Sequence, residues 1–313
     1  MYLKLVLATC LLAFFAVVLS AYARLSDAGL GCSNWPACYA ENAVKERQPP
    51  QAGAPRGHTS WQWKLHSQVV QLLGILAIAV CGLSWKKRKE LRQSPLLPTL
   101  LLGLMVFLAV FGIVAFNYLS RPVIVLVHLA GGIAMLALLA WIALRQLMPA
   151  GALDAEEAKK WRVYAWLGIA LLFVQIMLGG WVSSNFAALA CTDFPLCQGS
   201  LLPPMDFSMG NAATPLSAEM LTAIHWLHRV GALITVVYFA WLSARIIAVP
   251  KLRKTGIAIM GLMGLQLALG IFNVLAGLPL AGAVMHNAVA MLLLVSLVLL
   301  SFKLQSVNVA ANR

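Results

Sequence analysis

Apolar runs of about 20 residues recur eight times along the chain, at residues 3–23, 62–85, 96–116, 122–144, 163–183, 220–244, 256–277 and 280–302, with short polar breaks between them. That is the length a helix needs to cross the hydrocarbon core of a bilayer. Within hydrocarbon every backbone N–H and C=O must be satisfied by the protein itself, so only helices and closed barrels span it. A barrel strand would alternate apolar and polar residues, whereas these runs are continuously apolar. The expectation is an all-α membrane protein with eight transmembrane helices. A composition of 61% hydrophobic and only 11% charged residues excludes an ordinary soluble domain.

The net charge of +13 invites a nucleic-acid reading, but its distribution points to membrane topology instead. With an even number of spans both termini share a side. That side carries 16 of the 23 Lys and Arg residues, among them Lys86, Lys87, Arg88, Lys89, Lys159, Lys160, Lys251 and Arg253, and the opposite side carries six. The positive-inside rule then makes both termini cytoplasmic, in a multi-pass protein of the bacterial inner (plasma) membrane whose surroundings are the lipid bilayer and no nucleic acid.

The chain repeats itself. YARLSDAGLGCSNWPAC (Tyr22 to Cys38) returns as WVSSNFAALACTDFPLC (Trp181 to Cys197) at a constant offset of 159, and His128 returns as His286 at an offset of 158. Leu65-His66 returns as Leu227-His228 at an offset of 162. Four spans per half place both halves in the membrane facing the same way, a parallel repeat with its pseudo-twofold along the membrane normal. The expected halves are residues 1–147 and 161–313, two pseudo-symmetric four-helix bundles joined by a polar cytoplasmic linker at 148–160.

Five of the six histidines fall within spans, where an ionisable side chain is costly and is read by default as functional. His66 sits a few residues in from the outer side, and His128, His228 and His286 each sit roughly 10–12 Å in at the helical rise. One inward histidine from the second helix of a bundle and one from the fourth can ligate a single iron across the core. Two candidate sites follow, His66 with His128 and His228 with His286. A lone histidine here would more simply hydrogen-bond a neighbouring helix, but four at matched positions in matched repeats point to metal. Structural zinc wants four ligands and each pair supplies two, so haem is the better fit. Arg229, next to His228, is placed to meet a haem propionate, with snorkelling to the headgroups as the alternative. His225, one turn before His228, is either a second polar contact or a packing residue.

Cys32 with Cys38, and Cys191 with Cys197, form C-x5-C pairs in outer loops facing an oxidising compartment. Each pair is expected to close a disulfide, with a shared zinc site and a redox-active thiol pair as the alternatives. Cys10 and Cys81 lie in spans and are expected to be inert.

RLSDAGLGCSNWPAC after the first span, LGGWVSSNFAALACTDFPLC after the fifth, AIHWLHRVGAL in the sixth and VMHNAVAM in the last together resemble the haem A synthase family over essentially the whole chain. The resemblance implies a haem b cofactor held by His228 and His286 with Arg229 beside it. It implies substrate haem O in the N-terminal half at His66 and His128, which become the catalytic histidines. The implied reaction oxidises a haem ring methyl to a formyl group through successive hydroxylations, in support of cytochrome oxidase assembly and with haem O synthase as the expected partner. One departure stands out: the family pattern E-x-x-H-R reads Trp63-Lys64-Leu65-His66-Ser67 here. The alternative reading is a non-catalytic haem-binding paralogue for electron transfer or haem handling. A transporter is a weaker third reading, because the helices lack paired Gly/Pro interruptions at midplane.

Overall fold

The computed structural model describes residues 1–26, 61–91, 93–115, 121–148, 155–208 and 216–305. Eight long helices dominate it: α1 (Tyr2–Leu25), α2 (Trp61–Lys86), α3 (Leu96–Ala115), α4 (Arg121–Leu147), α5 (Ala155–Ser184), α6 (Ala218–Ile247), α7 (Arg253–Leu275) and α8 (Leu280–Lys303). A single helical turn, Arg88–Leu91, follows α2, and a 3-10 turn, Ala187–Leu189, follows α5. Among the described residues no strand forms beyond an isolated bridge between Cys197 and Ser200. Seven of the helices are long and apolar enough to cross a bilayer; in α3 the apolar stretch Leu96–Phe111 falls short of that length.

The helices exceed the apolar runs where their polar ends are themselves helix formers. α5 begins at Ala155 rather than 163, so the C-terminal part of the expected linker is helical. Glu156 and Glu157 fill its first turn, where negative charge complements the helix dipole. α6 is capped by Ser217, whose hydroxyl accepts the Met220 N–H at 3.2 Å. α7 and α8 are joined by a tight link with Gly277 at φ 69° and Leu278 at φ 62°. There the Leu278 N–H closes on the Asn273 carbonyl at 2.7 Å, and Pro279, at φ −62°, opens α8.

α1 packs on α2, α2 on α3, α3 on α4, and α4 back on α1; α5, α6, α7 and α8 repeat the same closed sequence of contacts. α8 also packs on α1 and α4, and α4 packs on α5. One hydrophobic core runs through all of them, including Leu73, Leu136, Leu139 and Ile142 on one side and Phe239, Leu242, Leu293 and Leu297 on the other. Trp141 of α4 meets Phe302 of α8 edge-on at 5.4 Å. The outside is as apolar as the inside: Leu11, Ile75, Val106 and Val237 are exposed. An apolar exterior of this extent is stable facing lipid tails and would not be in water.

Candidate functional site

His228 and His286 each meet a glutamine of the preceding helix, but at different ring nitrogens. Gln175 of α5 places its Nε2 3.1 Å from His228 Nδ1, and the same amide donates to the His228 carbonyl at 3.0 Å. Gln266 of α7 places its Nε2 3.0 Å from His286 Nε2. One turn on from each glutamine is a glycine facing the same imidazole. A Cβ on Gly179 would lie 3.1 Å from His228 Cε1, and one on Gly270 would lie 3.3 Å from His286 Cε1. The sequence Gln-x3-Gly therefore occurs twice, each time on the helix preceding the histidine's own. The two histidines are close enough to interact electrostatically.

His66 and His128 also lie within electrostatic reach of each other. Their surroundings are aromatic. Trp63 stands edge-on to the His66 ring at 5.8 Å, one turn before it on α2. Phe111 of α3 lies 5.5 Å from the His128 ring. His128 Nδ1 is 3.0 Å from the Ile124 carbonyl, the bond that fixes an imidazole's orientation and leaves its Nε2 to another partner. In each set of four helices the two histidines singled out in the sequence thus lie within electrostatic reach of one another.

Arg229 reaches the loop between α5 and α6. Its Nη1 donates to the carbonyls of Asp193 at 2.8 Å and Leu196 at 2.7 Å, and its Nη2 to that of Cys191 at 2.9 Å. Its Nε donates to His225 Nε2 at 3.3 Å. A charged donor contributes about 1.5–3 kcal/mol per bond to such acceptors. The loop is the ring expected from the cysteine spacing: Cys191 and Cys197 form a disulfide with Cα atoms 4.7 Å apart. Gln198 at φ 53° and Gly199 at φ 76° turn the chain there. The Asp193 carboxylate accepts both of their N–H groups at 2.8 Å. The Gly199 bond is the largest cause, with that of Gln198 and the positive field of Arg229 adding to it, of an Asp193 pKa held below the usual carboxylate range. The Gln198 side chain donates to the Ala190 carbonyl and to Thr222 Oγ1 of α6 at 3.1 and 3.0 Å. The loop is in this way fastened to the N-terminal end of α6, the helix that carries His228. Phe194, inside the ring, is 44% exposed. Cys32 and Cys38 lie outside the described residues; Cys10 and Cys81 are free thiols.

Alkylation without reduction is expected to leave the peptide containing Cys191 and Cys197 unlabelled, while Cys10 and Cys81 take the label in denaturant. Mass spectrometry reads the difference, and labelling of Cys191 and Cys197 without reductant would contradict the bond.

Gln175 and Gln266 are the residues that reasoning from histidines and cysteines passed over. The signal was present: a glutamine inside an apolar span is an exception that needs a partner, and each is followed four residues on by glycine.

Fold and site define a polytopic helical membrane protein with paired intramembrane histidines and a disulfide-closed loop between α5 and α6. The chain belongs to the COX15-CtaA family, cytochrome oxidase assembly proteins, whose family model matches residues 4–298. It is similar to proteins named heme A synthase. The one from Shewanella oneidensis is 30% identical, with 97% of each chain covered. Those from Caulobacter sp. and Bacillus mycoides are each 28% identical, covering 90% and 68% of this chain and 90% and 67% of their own lengths.

Proposed function

We propose that this protein oxidises a ring methyl of haem O to the formyl group of haem A, in support of cytochrome oxidase assembly. The observation that carries the reading is the presence of two intramembrane histidine pairs in a chain that aligns end to end with a heme A synthase. The eight helices are read as two parallel four-helix bundles, residues 1–147 and 161–313. The closed contact sequences α1–α4 and α5–α8 and the near-constant offset of the repeated motifs support that division. The excess of basic residues on one side supports cytoplasmic termini and an inner-membrane location.

In the C-terminal half His228 and His286 would hold haem b, which when bound supplies one-electron transfer. The donor set suits it: two imidazoles on facing helices, with apolar helix walls about them and glycines lying against both rings. Among the described residues no group of three or more His, Cys, Asp and Glu forms, which is what zinc would require. Arg229 ties the Cys191–Cys197 loop to α6 next to His228, and the Nη2 hydrogen left by its loop bonds is the one that would meet a propionate. In the N-terminal half His66 and His128 would receive haem O from haem O synthase, with Trp63 and Phe111 lying against the imidazoles.

In cells that lack their own synthase but make haem O, expression of this protein is expected to yield haem A in pigment extracts. Extracts containing haem O alone, from protein that is present and folded, would overturn the catalytic reading. That outcome would favour non-catalytic haem binding, to which the indole of Trp63 beside His66 already lends weight.

A further inference from the structure

We infer that the basic end of α5 and α6 holds one anionic glycerophospholipid, its phosphate between Lys160 and Arg245 and its acyl chains along α6 beside Trp241. The surface is separate from the histidine pairs, and the inference does not rest on the haem reading.

A shallow apolar hollow of about 520 Å³ runs along α6, lined by Leu233, Ile234, Val237, Tyr238 and Trp241. Its aromatic wall is braced by α5. The Tyr238 hydroxyl donates to the Tyr164 carbonyl at 2.6 Å, and the Tyr164 ring stands edge-on to that of Trp241 at 5.1 Å. Side chains already held in place lose little further freedom when a ligand lies against them, which lowers the cost of binding.

The same contacts fix the level of the two cations. Gln175 meets His228 and Tyr164 meets Tyr238, so α5 and α6 run antiparallel. Lys160 precedes Tyr164 by one turn and Arg245 follows Trp241 by one turn, which sets both at the same end of the hollow, just past the aromatic rings. Both are exposed, and among the described residues neither meets a carboxylate at ion-pair distance. Glu156 and Glu157 lie a further turn out on α5, but Lys159, Lys160, Arg162 and Arg245 outnumber them.

Length decides what fits. From Leu233 to Arg245 the face extends about 18 Å at the helical rise, a little over half of the roughly 30 Å hydrocarbon core. That is the reach of a lipid in one leaflet, whereas a free phosphate would leave the hollow uncovered. A zwitterionic headgroup would bring its own positive group to the two cations; an anionic one brings only negative charge. The arrangement is also more than the usual belt of aromatic and basic residues at a membrane boundary. At the repeat offset of 162 the positions matching Trp241 and Arg245 are Ala79 and Leu83, so the other set of helices lacks it.

The test uses full-length protein in detergent with added dioleoylphosphatidylglycerol or dioleoylphosphatidylcholine, and counts bound lipid by native mass spectrometry. The parent is expected to retain one phosphatidylglycerol at concentrations where phosphatidylcholine is lost. Lys160→Gln and Arg245→Gln should each weaken that binding about 5-fold, and both together about 30-fold, as expected for one and two basic residues near an anionic lipid. Arg245→Lys keeps the charge and should retain the lipid. Trp241→Ala removes part of the apolar wall and should weaken binding with both cations in place. The pair Lys86→Gln, Lys89→Gln removes equal charge beyond the end of α2 and should change nothing. Equal retention of the two lipids by the parent, or an equal loss in the Lys86, Lys89 pair, would overturn the inference. So would displacement of the lipid by glycerol phosphate, which would mark a site for free phosphate, or a dimer abolished by Trp241→Ala, which would mark a second chain as the occupant. If Trp241→Ala fails to accumulate, the charge variants, all at exposed positions, decide.

Discussion

Replacing His228 or His286 by alanine is expected to abolish the low-spin haem spectrum contributed by the C-terminal half. With one imidazole gone, a haem held as proposed would keep one protein ligand, since among the described neighbours Gln175 and Gln266 offer amides and His225 is engaged by Arg229. The fall in haem affinity should be at least the roughly 10–100-fold that follows loss of an outer-shell partner. His286→Ala also strands the Gln266 amide in the apolar core, at about 1–3 kcal/mol, whereas Gln175 keeps the main-chain carbonyl of residue 228 after His228→Ala. Elution as a single species is therefore the control that separates lost ligation from lost fold. Absorption spectra and haem content per protein give the answer, and two variants that retain both at parental levels would remove these histidines from the site.

The second large effect is expected at Trp63. Its indole stands edge-on to His66, one turn away on the same face of α2, where related sequences are expected to carry a carboxylate. A carboxylate can relay a proton or orient a polar reactant beside a substrate ring; an indole N–H can only donate. Positioned acid–base groups contribute about 10²–10⁴ in rate. The double variant Trp63→Glu, Ser67→Arg is expected to raise haem A yield over the parent chain at matched expression, in cells without their own synthase. The arginine is included because a buried carboxyl without a basic neighbour is driven to its neutral form. A double variant that yields the same haem A as the parent, or less, would show that the oxidation runs on other groups.

The all-helical class could be read from the sequence because hydrocarbon leaves the backbone so few solutions. The apolar runs located the helices but not their ends. α5 begins eight residues before its run because Ala155 to Arg162 form helix outside the membrane as readily as apolar residues do inside it. The histidines were legible because an ionisable group in an apolar span has no bland explanation when it recurs in both halves. The glutamines were not, since a neutral amide raises no such alarm and its partner lies 53 residues away for Gln175 and 20 for Gln266. Arg229 was read as a propionate contact or a snorkelling side chain; the three loop carbonyls it collects depend on how residues 191–196 fold back, which no local pattern encodes.

α4 and α8 pack against each other, and they carry His128 and His286. A group held in one proposed half is thereby one helix–helix seam from a group held in the other. A change in side-chain volume along that seam, at Trp141 or Phe302 for instance, is felt by both helices at once. If the two proposed halves are repeats, each would be free to change at its own histidines while the pair of helices between them stayed bound to a common shape.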